Sequence, residues 1–337
     1  MKNYKLFALL LISLSLVLGC GKPNTPDEPE PIDVSGGYKI VSQIYTLGYA
    51  QDVLLVDTLI YVAQGEGGLM IISVNDPENP QYVSSVNEGV RGYTTKIAKK
   101  DSAVYMAAGG FGVSVVDVAN PFEPVATASN LPMKPAKDFL IMGDYLFTSI
   151  SEQGIKITDI SYPTQPDPRG PISTVGYAHG MSYTTDTAYL LVACGEVGLS
   201  MIDISDFQEG HGDYPQVGLC HTPGYAETVT LLDEEKLAFM ACGTSGLQIV
   251  NYSDTTDIHI VGSYDGPGYA KDLIYKDDIV YMTAERGGLQ IINVSNISSP
   301  TLIGMVETVY ALGIDMDEDY IYVADEEDGM LVIAIPK

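Results

Sequence analysis

A unit of 41 to 48 residues recurs along this chain, and that recurrence limits the possible folds more than any other feature. Residues 268–304 show the unit in full. Gly268-Tyr269-Ala270 opens it as a small-aromatic turn, the apolar run Asp272-Leu273-Ile274-Tyr275 follows, and Lys276-Asp277-Asp278 makes a polar turn. Next come Ile279 to Ala284, a charged glycine turn from Glu285 to Gly288, and Leu289 to Val294. A Ser/Asn/Pro loop ends at Pro300, and Leu302-Ile303-Gly304 closes the unit. Four short β-rich runs separated by turn residues predict a four-stranded antiparallel meander. No window carries a helical apolar stripe of useful length. Such a sheet leaves a bare apolar face on each side, so it needs neighbours.

The sequence supplies them. The opening turn returns around Tyr49, Tyr93, Pro135, Tyr177, Tyr225 and Tyr310. The third run returns as GLMIISV from Gly68, GVSVVDV from Gly112, GIKITDI from Gly154, GLSMIDI from Gly198, GLQIVNY from Gly246 and GMLVIAI from Gly329. Seven copies of a four-stranded unit at this period predict an all-β fold, a seven-bladed β-propeller of antiparallel blades. The seventh copy stops after Ile335, with only Pro336 and Lys337 beyond it. Tyr38 to Tyr45 precedes the first turn and has the character of an outer strand. That N-terminal strand is expected to complete the last blade and close the ring, leaving no three-stranded blade with an open edge.

Copies such as Gly198-Leu199-Ser200-Met201-Ile202-Asp203-Ile204 resemble LVIVD repeats. This family of β-propeller repeats is common in bacterial surface and secreted proteins, and the resemblance spans about residues 38–337. WD40 and kelch patterns fit poorly: the chain has no Trp, and the Gly-His and Trp-Asp marks are missing.

Three regions follow from the pattern: residues 1–19, 20–37 and 38–337. Lys2 and Lys5 precede an apolar run from Leu6 to Leu18, which is shorter than the ~20 residues of a spanning helix. The run ends in Val17-Leu18-Gly19-Cys20, which resembles a bacterial lipobox. The expectation is a signal peptide with Cys20 as the lipidated first residue of the mature chain. An ordinary signal peptide with Cys20 an incidental thiol is the alternative. Gly21 to Gly36 holds Pro23, Pro26, Pro29 and Pro31 among acidic and small residues and reads as a semi-extended tether. These features place the protein in a bacterial cell envelope, outer membrane or cell surface, with the membrane as a partner through the lipid.

The chain holds 44 acids against 17 Lys and Arg, a formal charge of −27. That balance excludes nucleic acid and anionic lipid headgroups, which need a basic surface. It fits plain solubility, a cationic partner or loosely held divalent ions.

Candidate chemistry is sparse. Cys194, Cys220 and Cys242 show no C-x-x-C and no zinc spacing, and are expected as free buried thiols. Of four histidines only His179 falls near the channel axis, as a hydrogen-bonded pore residue or a catalyst. Asp52, Asp138 and Asp272 recur at the start of innermost strands, where Lys96, Gly180, Thr228 and Gly313 stand in the other copies. They serve either as ties to backbone N–H groups or as an axial cation site. Loops at residues 162–168 and 207–213 are expected to be irregular surface excursions. The tyrosines Tyr49, Tyr93, Tyr177, Tyr225, Tyr269 and Tyr310 ring one mouth of the channel. They are either packing wedges or contacts for a protein, peptide or glycan ligand. Glu66, Glu152, Glu196, Glu285, Arg286 and the run Asp325 to Asp328 fall on the same face. The expected function is therefore a lipid-anchored binding or scaffold module without a resident cofactor. A lactonase-like or lyase-like propeller enzyme with an axial metal is the alternative.

Overall fold

The structure, a computed structural model, describes residues 33–207 and 212–337. The Cys20 and signal-peptide assignments, and nearly all of the tether, lie outside the described residues. Seven four-stranded antiparallel sheets make up the fold, and no helix occurs among the described residues. Blades one to six each take four consecutive strands; blade one, for example, runs Asp52–Val56, Leu59–Ala63, Leu69–Ser73 and Gln81–Val86. Blade seven combines Ala311–Met316, Tyr320–Asp325 and Gly329–Ala334 with the N-terminal strand Lys39–Ile44. That strand pairs antiparallel with the last one, from Lys39 opposite Ala334 to Ile44 opposite Met330. The predicted closure is the observed one.

Second and third strands are apolar on both faces because neighbouring blades cover both sides. Ile60-Tyr61-Val62-Ala63 and Leu69-Met70-Ile71-Ile72 are buried throughout. A strand covered on both faces reads as a continuous apolar run rather than an alternating one. A separate apolar cluster fills each of the seven junctions, including the junction between blades seven and one, where Val62 and Ile72 meet Tyr322 and Val332. Burial of each such side chain contributes about 1.5–3 kcal/mol.

Residues ahead of Tyr38 also contact the ring: the Val34 carbonyl accepts a hydrogen bond from the Met305 amide of blade six at 2.8 Å. The irregular long loop of blade four is anchored in its described part. Phe207 packs edge-on to Tyr145 of blade three with ring centroids 4.8 Å apart, and Tyr214 lies beside it at 6.3 Å. Aromatic residues in that insertion cover apolar surface between blades three and four. The loop of blade three is tied as well, since the Tyr105 hydroxyl donates to the Pro163 carbonyl at 2.7 Å.

Candidate functional site

The link into each innermost strand and the turn between strands two and three share one face, and they interlock. Gly65, Gly109, Ser151, Gly195, Gly243 and Glu285 each bridge to the next blade, at Thr94, Ala136, Ala178, Ala226, Ala270 and Ala311 respectively. All six bridging turn residues have φ between 48° and 56°. A tyrosine stands one position before each bridging partner except Ala136, which follows Pro135. A Cβ placed on Gly65, Gly195 or Gly243 would come within 2.8 Å of the rings of Tyr93, Tyr225 or Tyr269. Glycine is required there because the ring takes the side chain's space.

Hydroxyl partners separate the tyrosines further. Tyr93 donates to Glu326 at 3.5 Å, Tyr269 donates to Glu227 at 2.9 Å, and Tyr225 shares a hydrogen bond with His179 Nε2 at 3.0 Å. A hydrogen bond to Glu285, then burial, pushes Tyr310 up to about 12. These four rings are half-buried wedges. Tyr49 and Tyr177 are more open, 55 % and 47 % exposed.

The junction between blades seven and one has no bridge of this kind among the described residues. There the turn of blade seven folds on itself: the Asp325 carboxylate accepts from the Tyr310, Glu327 and Asp328 amides. A shallow hollow of about 540 Å³ opens beside it, lined by Leu47, Tyr49, Glu66, Asn87, Glu326 and Glu327.

Two stacked rings line the channel. The residue after each bridging partner, with Gln51 at the equivalent place in blade one, forms the outer ring: Gln51, Thr95, Lys137, His179, Glu227, Lys271 and Leu312, one per blade. The next residue forms the inner ring: Asp52, Lys96, Asp138, Gly180, Thr228, Asp272 and Gly313. The whole outer ring and most of the inner one enclose a cavity of about 190 Å³.

In the inner ring, the Lys96 ammonium stands where the sequence allowed an axial cation. Lys96 Nζ is 3.2 Å from Asp52 Oδ1 and 2.5 Å from Asp272 Oδ2. Asp52 also accepts the Ile97 amide of blade two at 3.0 Å, so it ties blades together as well. Burial pushes Asp52 up to about 7, with Lys96 opposing and Asp272 and Asp138 reinforcing the shift; burial likewise raises Asp138 to about 6. Burial alone would depress Lys96, but the three carboxylates hold it well above its usual value. Among the described residues no group of three or more His, Cys, Asp or Glu is arranged to hold a metal.

In the outer ring, Glu227 organises a proton-linked cluster. Its Oε1 accepts from Lys271 Nζ at 3.0 Å and from Tyr269, while Oε2 lies 3.3 Å from His179 Nδ1. Burial pushes this carboxyl up, yet the His179 hydrogen bond and the Lys271 charge outweigh it and bring the group down to about 2. The Tyr225–His179–Glu227 chain therefore ends in a carboxylate held ionised at neutral pH. Tyr225 and Glu227 between them hold the imidazole by both nitrogens. Glu227, Lys271, Lys137 and Gln51 were not singled out in the sequence. The signal for them is positional: they follow the recurrent turn directly.

Cys194, Cys220 and Cys242 are buried free thiols as expected, and burial pushes Cys194 and Cys242 up to about 12. They are inert packing residues.

The LVIVD repeat model matches residues 47–88, 135–172, 267–308 and 310–335, four of the blades seen here. This chain is a seven-bladed β-propeller that carries LVIVD repeats. No curated protein matches it. Among solved structures, the Myceliophteria thermophila Cps50 (Swd1) β-propeller domain is similar, with TM-score 0.67 and 12 % identity over 89 % of this chain and 100 % of that one. The WD40 β-propeller domain of Doa1 gives 0.65 and 11 % over 89 % and 98 %, and the computationally designed Ika8 protein gives 0.59 and 9 % over 85 % and 83 %. At these identities the likeness is one of fold, and the blades lack the Trp-Asp and Gly-His marks of WD40 repeats.

Proposed function

We propose that this LVIVD propeller is a lipid-anchored binding module of a bacterial envelope, and that it captures a Lys- or Arg-rich segment of a partner protein. The observation that carries the reading is the unbridged junction of blades seven and one. Tyr45, Leu47 and Tyr49 are 70 %, 80 % and 55 % exposed in a single stretch there, beside Glu66, Glu326 and Glu327. Exposed aromatic surface next to carboxylates that form no ion pair among the described residues suits a long aliphatic side chain with a cationic tip, through ring contacts and charge together. Among the described residues, the turns of the opposite face expose Phe122 and Tyr162 as large apolar side chains. Glycan and uncharged peptide ligands fit the acids less well.

Fluorescence anisotropy with a lysine-rich probe peptide tests this. Capture should weaken as salt rises, fall by up to about tenfold in Tyr49→Ala, and vanish in Glu66→Lys/Glu327→Lys. Capture unchanged by the charge reversal would reject the notch as the site. The anchor rests on Val17-Leu18-Gly19-Cys20. Wild type expressed in a bacterium should partition into detergent and Cys20→Ala into the aqueous phase; wild type in the aqueous phase removes the anchor from the account.

A further inference from the structure

We propose that the channel mouth is a second, separate site, which binds a small carboxylate between the Lys137 ammonium and the Gln51 amide. The two donors line one cavity, on blades three and one of the outer ring. Gln51 Nε2 is buried with no hydrogen-bond partner. A buried orphan donor of this kind carries a desolvation cost that a ligand acceptor would relieve.

Of the three lysines lining the cavity, Lys96 is spent on Asp52 and Asp272, and Lys271 on Glu227. Lys137 forms no ion pair among the described residues. The cavity's best acceptor is already committed: both Glu227 oxygens are bonded. One Asp138 oxygen accepts the Phe139 amide at 2.7 Å. The two uncommitted groups, Lys137 and the Gln51 amide nitrogen, are donors, so a ligand held between them must bring acceptors.

A carboxylate fits for two reasons. Its two oxygens can each meet a donor from a different blade. As a single negative charge it also suffers less from the neighbouring Asp138 and Glu227 than a phosphate dianion would. The volume, about 190 Å³, equals roughly six waters at ~30 Å³ each, which admits a molecule the size of acetate or propionate. Three lysines gathered at one small opening also stand out in a chain of 44 acids and 17 Lys and Arg. This site depends neither on the notch nor on the membrane anchor.

Titration calorimetry on the mature chain at fixed ionic strength, with sodium acetate, sodium propionate and inorganic phosphate as probes, tests the proposal. The expected result is saturable binding of acetate or propionate. Lys137→Ala and Gln51→Leu should each weaken that binding by about tenfold or more, as loss of a hydrogen bond to a charged group does. Neither should lower the melting temperature, and Gln51→Leu should hold or raise it by removing an orphan donor. Lys134→Ala, an exposed lysine of the same link outside the cavity, should bind as wild type does. Absence of saturable carboxylate binding, binding of phosphate alone, or equal weakening by Lys134→Ala would overturn the assignment.

Discussion

At Gly195 the Tyr225 ring stands 2.8 Å from where a methyl group would go, whereas at Gly109, across from Pro135, the same place is open within 4 Å. The two glycines share a left-handed backbone. Alanine at Gly109 therefore bears only the left-handed penalty, about 1–2 kcal/mol. At Gly195 it also expels a wedge and breaks the Tyr225–His179 contact. Chemical denaturation should find Gly195→Ala clearly the less stable, and equal losses would show that the ring does not seat on the turn. Glu227 gives the residue scale a pH signature. Its folded value near 2, against the usual 4.5, makes its contribution complete above about pH 4.5 and lost as pH falls towards 2. A shift of that size corresponds to about 3 kcal/mol. Glu227→Gln should be destabilised by that order at pH 7, and the gap should narrow below pH 4.5 in a urea series; a gap independent of pH would mean that the carboxylate is not held ionised by its neighbours.

At the scale of elements, the closing strand is the test case. Lys39–Ile44 supplies the whole outer edge of blade seven, and Val41 and Ile44 pack on the cluster between blades seven and one. Removing residues 38–45 exposes the pairing edge of Gly329–Ala334 and should unfold or aggregate the domain. Removing residues 21–32, which precede the Val34 contact with blade six, should leave the melting temperature unchanged. Similar melts for the two truncations would refute the closure's contribution. This strand was legible because its partner was conspicuously missing: the seventh copy ends at its third run. The channel rings were not legible in that way. Aligning copies draws the eye to what they share, the tyrosine and the third-strand glycine. A ring site is built where copies differ, with Gln51, Lys137, His179, Glu227 and Lys271 occupying equivalent places. Asp52 and Asp272 were seen as recurring, but their partner Lys96 was visible only as a departure from the pattern.

For the whole molecule, ring closure has a consequence for the order of folding. Each hairpin joins residues a few positions apart, but Lys39 and Ala334 meet across roughly 300 residues, a closure entropy of about 5 kcal/mol against about 1 for a hairpin. A chain emerging from its N-terminus makes the last piece of the ring first and must hold it unpaired until the end of synthesis. Blade seven is therefore the blade that finishes last and opens first. In the open state its bare edge matches the leading strand of any other copy equally well. At high concentration two rings can close by trading leading strands, giving a dimer that buries no surface absent from the monomer.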